Sequence, residues 1–193
     1  MSDTQRNTTT MDDYQTRAFT TAVYPGRGED QVIYPAVALC EEAGELAGVV
    51  MDALNKHRIA EPGDYHVAAA ALNLASTCGK VMGLVKKAFR NDPQGVLTPD
   101  RLVAIRQAAT LAESAAFDVL TAIQLTDRVE FPRLVLEDVD RDKATKEVGD
   151  VLWYAADFCT EIHVSLGYVG DVNYDKLADR ARRDVLRSAG DTR

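Results

Sequence analysis

Glycine and proline are scarce in this chain. Twelve glycines and six prolines among 193 residues supply too few turns for an all-β sandwich, which reverses direction about every 8–12 residues. Cysteine is scarcer still. Cys40, Cys78 and Cys159 are odd in number, far apart and set in apolar runs. No disulfide framework follows from them, and with His57, His66 and His163 they give no zinc-finger spacing. The thiols read as reduced core residues of a cytoplasmic protein. Basic residues are in the minority: 22 Lys and Arg against 30 Asp and Glu leave a formal charge of −8. That sign disfavours a protein that coats a nucleic acid polymer or an anionic membrane. No run of 18 apolar residues occurs, and the opening MSDTQRNTTTMDD has no apolar signal core. Neither a spanning helix nor a secretory leader is expected. What remains is 46% hydrophobic and 27% charged, enough to bury a core.

The pattern is that of a single all-α domain over residues 1–193, with 1–9 as a polar tail. Thr10 and Asp13 form a capping-box pair that opens a first helix over Met11–Val23. A second spans about Ile33–Arg58, with an apolar stripe at Ile33, Val37, Cys40, Ala43, Ala47, Val50 and Leu54. A third, rich in Ala and Leu, spans about Tyr65–Arg90 between Pro62-Gly63 and Pro93-Gln94-Gly95. Thr98-Pro99-Asp100 reads as N-cap, first-turn proline and acidic first turn of a fourth helix reaching about Leu125. Residues 127–136 are an extended connector or a short strand. A fifth helix covers about Asp140–Leu166, Gly167 and Gly170 punctuate it, and a sixth runs from Asn173 to Arg187. Helices of this number and length make a bundle.

Shifting the sequence by 35 residues aligns Gly44, Gly48, Val50 and Ala53 with Gly79, Gly83, Val85 and Ala88. Residues 64–126 are then either a degenerate repeat of the half formed by 10–60 and 138–190, or an insertion into a standard four-helix unit.

Glu41, Glu42 and Glu45 fall within an arc of about 100° on the second helix. The turns on either side, 36–40 and 46–51, carry no charge. The fifth helix repeats the pattern: Glu147 and Asp150 share a face, with Val148, Val151, Leu152, Trp153 and Ala155 around them. Alone, the first set reads equally as a solvated stripe paired to Lys or Arg. Two such sets in apolar helices read differently. Burying unpaired carboxylates costs several kcal/mol each, so two acid pairs are best reconciled by facing one another across a shared cation. Ligands that are all carboxylates suit a hard ion, Mg²⁺ or Mn²⁺. Asp157 and Glu161 continue the Glu147 face and read as exposed or salt-bridged.

Here the motifs resemble a family. Glu42-Ala-Gly-Glu45 within YPAVALCEEAGELAG, and Glu147-Val-Gly-Asp150 within KEVGDVLWYAA, resemble the two signature helices of the MazG-like all-α nucleoside triphosphate pyrophosphohydrolases. GLVKKAFRND (83–92) resembles that family's basic stretch, and NYDKLADR (173–180) its closing helix. The spacing departs from the family: 101 residues separate Glu45 from Glu147. LNLASTCGKVMGLVKKAFRND (72–92) itself resembles a first motif, with Thr77 and Lys80 at the acid positions. The resemblance therefore suggests a fused pseudo-dimer, one half acidic and a degenerate central half stripped of acids.

By that resemblance the reaction is (d)NTP plus water giving (d)NMP and pyrophosphate, in the cytoplasm. Glu42, Glu45, Glu147 and Asp150 would hold Mg²⁺, and Glu41 or Glu45 would take the proton of the attacking water. Lys86, Lys87 and Arg90 are candidates for phosphate contact, with snorkelling at a helix C-terminus as the plainer reading. Asn173 and Lys176 carry over from the closing motif. Trp153 and Tyr154 read as core more readily than as base-stacking groups, and Tyr24 and Tyr34 could cover a base. The partner is a nucleoside triphosphate, and the family's habit implies a homo-oligomer, a dimer. Two rivals stand beside this: a specialised all-α dUTPase-type or modified-nucleotide pyrophosphatase, and a non-enzymatic helical dimerisation or regulatory protein.

Overall fold

The computed structural model describes residues 9–56, 66–92, 94, 96–126 and 133–183. Their regular structure is all helical: α1 (Met11–Thr21), α2 (Ile33–Lys56), α3 (His66–Asn91), α4 (Pro99–Leu125), α5 (Asp138–Glu161) and α6 (Leu166–Arg182). The first four helices start within a residue of where the sequence places them, and two of those starts rest on caps. The Thr10 hydroxyl accepts from Asp13 N at 3.1 Å while the Asp13 carboxylate accepts from Thr10 N at 3.4 Å. Thr98 accepts from Arg101 N at 3.4 Å, with Pro99 in the first turn. Of the uncertain connector, 127–132 lie outside the described residues, and 133–137 are non-helical, without a strand.

The last two helices differ from expectation. The chain breaks at 162–165, where His163 takes φ 57° and Ser165 accepts from Tyr168 N at 3.0 Å. Gly167 and Gly170 lie inside α6. They serve close packing rather than a turn. Gly167 N donates to Asp12 Oδ1 at 2.8 Å, and a Cβ at 167 would come equally close to that oxygen. One at 170 would sit 3.3 Å from Met11 Sδ.

The helices form a row. α3 packs between α4 and α2, and α2 between α3 and α5; α1 lies along α5, and α6 touches both. Among the described residues α4 and α5 do not meet, so the row is open rather than a closed ring. α3 (Val67–Asn91, mean hydropathy 1.3) is long and apolar enough to cross a membrane. It lies between α2 and α4, with most of its residues half-buried or exposed.

Glycine sets the α2–α3 crossing. A Cβ on Gly44 would lie 2.6 Å from Gly79 Cα and 2.8 Å from Ala75 O, and one on Gly79 would lie 2.8 Å from Gly44 Cα. Only bare backbone allows this approach. The contact also turns α2. With Gly44 facing α3, Glu41 lies about 60° away on the wheel and follows it inward. The predicted apolar stripe is therefore wrong at its start: Ile33 is exposed and Cys40 and Ala43 do not reach the core, while Glu41 and Glu42 are buried. The cysteine reading needs the same correction. Cys40 and Cys78 are exposed and only Cys159 is buried.

Candidate metal centre

α2 and α5 bring three carboxylates together. Oxygens of Glu42, Glu147 and Asp150 all lie within 4.8 Å of one another. Glu42 is buried, Glu147 half-buried and Asp150 exposed, so the cluster opens to solvent on the α5 side. The sequence reads α5 as apolar and buried on nearly every side, yet Val148 is 52% and Leu152 39% exposed. Burial raises the Glu42 carboxyl above its ordinary range, with Glu41 and Glu45 adding to the effect against the pull of Lys86. Burial likewise raises Glu147, reinforced by Glu45 and Asp150. Glu45 thus stands beside Glu147 at the exposed edge, outside the tight trio. Of the four residues expected to hold metal, Glu42, Glu147 and Asp150 form the group and Glu45 adjoins it at Glu147.

Lys86 is where sequence reasoning and structure differ most. It is buried, not reaching for solvent phosphate. Its ammonium ion-pairs with Glu41 Oε2, donates to Glu42 Oε1 at 3.0 Å and to the Tyr154 hydroxyl at 3.2 Å, and lies 4.7 Å over the Tyr154 ring. Burial would depress the Lys86 pKa, but its acidic partners outweigh that and hold it raised. Part of the compensation assigned to a metal is thus supplied from within. Gly83 permits it: a Cβ there would collide with the Glu41 carboxylate. Lys87 is exposed, 3.5 Å from Glu41 Oε1, and Arg90 is exposed one turn on. Asn173 and Lys176 are exposed on α6, which packs on α1 and α5 and not on α2.

Two openings flank the acids. One of about 160 Å³ is lined by Gln31, Ile33, Tyr34, Val37, Val85, Lys86 and Phe89. A wider one of about 400 Å³ lies against Glu41, Glu45, Lys80 and Lys87, with Gln107 and Leu111 of α4 opposite. Tyr24 and Tyr34 are both buried and stack on each other with centroids 4.3 Å apart. Trp153 donates its indole N–H to Thr21 at 3.0 Å.

Asp157 and Glu161 are buried, contrary to expectation, at 0% and 2% exposure. Glu161 accepts from the Tyr24 hydroxyl at 2.5 Å, Gly28 N at 2.8 Å and Gln31 N at 2.9 Å, clasping the loop that leads into α2. Asp157 keeps both oxygens without a donor, and burial pushes its carboxyl up to about 6. The signal was available. Glu147, Asp150, Tyr154, Asp157 and Glu161 recur at three- and four-residue steps, so one polar row serves the acid cluster, Lys86 and the loop in turn.

No family model matches the chain, and no solved structure does. The chain is similar to the Gene 37 protein of Mycobacterium phage L5, at 25% identity over 183 residues that cover 95% of this chain and 98% of that protein.

Proposed function

We propose that this protein is a Mg²⁺-dependent nucleotide pyrophosphohydrolase that cleaves a (d)NTP to the (d)NMP and pyrophosphate. The observation that carries the reading is the convergence of Glu42 with Glu147 and Asp150 within 4.8 Å, from helices about a hundred residues apart in sequence. Their donors are all carboxylate oxygens, which fits a hard divalent ion and not zinc. Glu42, Glu147 and Asp150 would hold it, with Glu45 at the edge, and the ion would supply charge neutralisation at the phosphate oxygens. Glu41 is committed to Lys86, which leaves exposed Glu45 as the better placed base for the attacking water. Lys87 and Arg90 remain able to meet phosphate oxygens, while Lys86 holds Glu41 and Glu42 in place. A specialised dUTPase-type enzyme uses the same parts and differs only in what it admits. We place the protein in the cytoplasm, in keeping with its free thiols.

We also read the chain as a fused pseudo-dimer. Gly44 and Gly79 meet, and they are each other's equivalents under the 35-residue shift. Gly48 lies against the Ser76 side chain, and Gly83 against that of Glu41, the same pair after exchange of halves. Reciprocal contacts of this kind support the reading, together with the shared Gly-x-x-x-Gly spacing of 44/48 and 79/83. Only the α2–α5 side carries the acids.

The test is a pyrophosphate-release screen over the common NTPs and dNTPs with Mg²⁺. We expect turnover of at least one nucleotide, its loss with EDTA and its return with Mg²⁺ or Mn²⁺. Absence of release from every nucleotide would favour the non-enzymatic rival.

A further inference from the structure

The wider opening beside the acids, about 400 Å³, lies toward α3 and α4 and holds none of the three clustered carboxylates. Lys80 and Lys87 line it from α3. They are seven residues apart, about two turns along one face of that helix, and both are exposed. Among the described residues Lys80 has no ion-pair partner. Lys87 has Glu41 Oε1 at 3.5 Å, and that carboxylate is already held by the buried ammonium of Lys86. From α4, Gln107 lines the cleft with an amide, beside the small side chains of Ala104 and Ala108. No aromatic ring lines it. Glu45 joins this cleft to the acid cluster. On the α2 wheel it falls between Glu41 and Glu42, about 40° from one and about 60° from the other. It lines the cleft on one side and stands beside Glu147 on the other.

We propose that this cleft is the subsite for the terminal phosphates of the substrate, and so for the pyrophosphate that leaves, with Lys80 and Gln107 joining Lys87 as its binding groups. The inference rests on the proposed reaction and adds which end of the nucleotide lies where. Charge selects the occupant. Glu41 is neutralised by Lys86, so Glu45 is the one lining carboxylate without a cation of its own among the described residues. A divalent ion beside it offsets that charge and leaves the two exposed ammoniums in excess. The lining also tells against a nucleobase, since it offers no ring to stack on. Lysines whose backbones are about 10 Å apart suit a chain of linked phosphates, one ammonium to each, better than a single phosphate. As water attacks the α-phosphorus, its proton passes to Glu45 and its oxygen stays on the nucleoside monophosphate. The bond to the bridging oxygen breaks, and that oxygen leaves with the electron pair as part of pyrophosphate. The charge developing on the leaving group then falls beside Lys80 and Lys87. The acid-poor half thereby gains a function. Lys80 stands where Glu45 stands under the 35-residue shift, and a lysine there attracts the tail that an acid would repel.

Calorimetry of the full chain with inorganic pyrophosphate and Mg²⁺ reads the subsite without turnover. Pyrophosphate should bind at least about tenfold more tightly than orthophosphate, which cannot reach both lysines. Lys80→Gln should weaken pyrophosphate binding at least about tenfold, as loss of a hydrogen bond to a charged group does, and Gln107→Ala about threefold. Lys80→Arg should restore most of the affinity. Arg106→Gln makes the same change of charge at a neighbouring α4 residue that does not line the cleft, and should leave binding unchanged. Residues 80, 106 and 107 are all exposed, so helical circular dichroism should hold throughout. In kinetics, Lys80→Gln should cut the preference in kcat/KM for a nucleoside triphosphate over its diphosphate by a similar factor. Pyrophosphate binding that is indifferent to Lys80 and Gln107, or that falls as far with Arg106→Gln, overturns the subsite even where nucleotides are turned over. Lys80-dependent binding by a protein that turns over no nucleotide upholds the subsite and overturns the proposed reaction instead.

Discussion

The helices on either side of the Gly44–Gly79 contact bury a few matching positions, 42 and 77 among them, and fill them differently. Glu42 and Thr77, 35 residues apart, are 7% and 8% exposed; Glu45 and Lys80 are both exposed. Thr77 satisfies its hydroxyl on its own helix, donating to Asn73 O and Leu74 O, each at 3.0 Å. It asks nothing of its neighbours. Glu42 has no such local solution for a charge and draws in Lys86 from α3 and two acids from α5. A shared backbone shape thus carries a self-contained position on one side and a chemically demanding one on the other. The demand is what makes a site.

The sharpest way to test that contrast is to remove the charge. Glu42→Gln or Asp150→Asn should lower turnover by more than the ~100-fold that loss of an outer-shell partner costs a metal site, with circular dichroism intact. Without metal, Asp150→Asn, at the exposed edge of the cluster, should melt no lower than the parent, because repulsion among the acids is relieved, whereas Glu42→Gln also gives up the charge facing Lys86. Thr77→Ala, at the matching position, should leave turnover unchanged. Full activity in both acid variants would remove the acids from the chemistry.

Next in size is the loss of the internal cation. Lys86→Met leaves Glu41 and Glu42 buried without it, and breaking a buried pair in this way costs about 3–5 kcal/mol. Lys80→Met, on the same helix but exposed, should stay within about 0.5 kcal/mol of the parent. Urea unfolding of both measures the difference. Equal midpoints would mean that Lys86 is not a structural partner of the acids.

The glycine contact should break with similar force from either side. Gly44→Ala and Gly79→Ala each push a methyl into the backbone opposite, an overpacking cost of about 1–3 kcal/mol. The two losses should match if they sit on one axis. Gly149→Ala is the control: nothing lies within 4 Å of its Cβ position, and alanine in a helix interior should gain about 1 kcal/mol. A large loss at Gly149, or a loss at only one of the other two, would contradict the crossing as described.

Much of this was legible in the residues. Caps at Thr10 and Thr98 act over three residues, so local chemistry sets those helix starts. The acid pairs stood out because carboxylates three apart in apolar helices have few explanations. What stayed hidden depends on partners distant in sequence. Gly167 and Gly170 read as breakers because their role lies in α1, at Met11 and Asp12. The apolar stripe of α2 misled because Gly79, not hydrophobicity, sets how that helix is turned. Lys86 read as a solvent-facing cation because nothing nearby shows that Gly83 leaves room for Glu41 across it. Asp157 and Glu161 read as exposed because the loop that covers them is folded over from residues 24–31.

That loop gives the smallest expected effect and a second contrast, between two carboxyls one turn apart. Glu161 receives three donors and Asp157 none. Burial lifts the Asp157 carboxyl from 3.8 to about 6, so the folded protein holds that proton more tightly than the unfolded chain. Its contribution is fully present below about pH 4, is lost as pH rises through about 6, and stays lost above. Asp157→Asn cannot ionise. It should match the parent at pH 4 and exceed it by about 1–2 kcal/mol at pH 8, somewhat less than the full shift implies because a buried amide also lacks donors. Glu161→Gln should go the other way at pH 8, losing about 1–2 kcal/mol, since an amide nitrogen cannot accept from Gln31 N or Gly28 N. Chemical denaturation of the three proteins at pH 4, 6 and 8 measures both. If Asp157→Asn shows the same offset at all three, Asp157 carries no excess proton in the folded state. If Glu161→Gln is also silent, the loop is held by its tyrosine stack and not by the carboxylate.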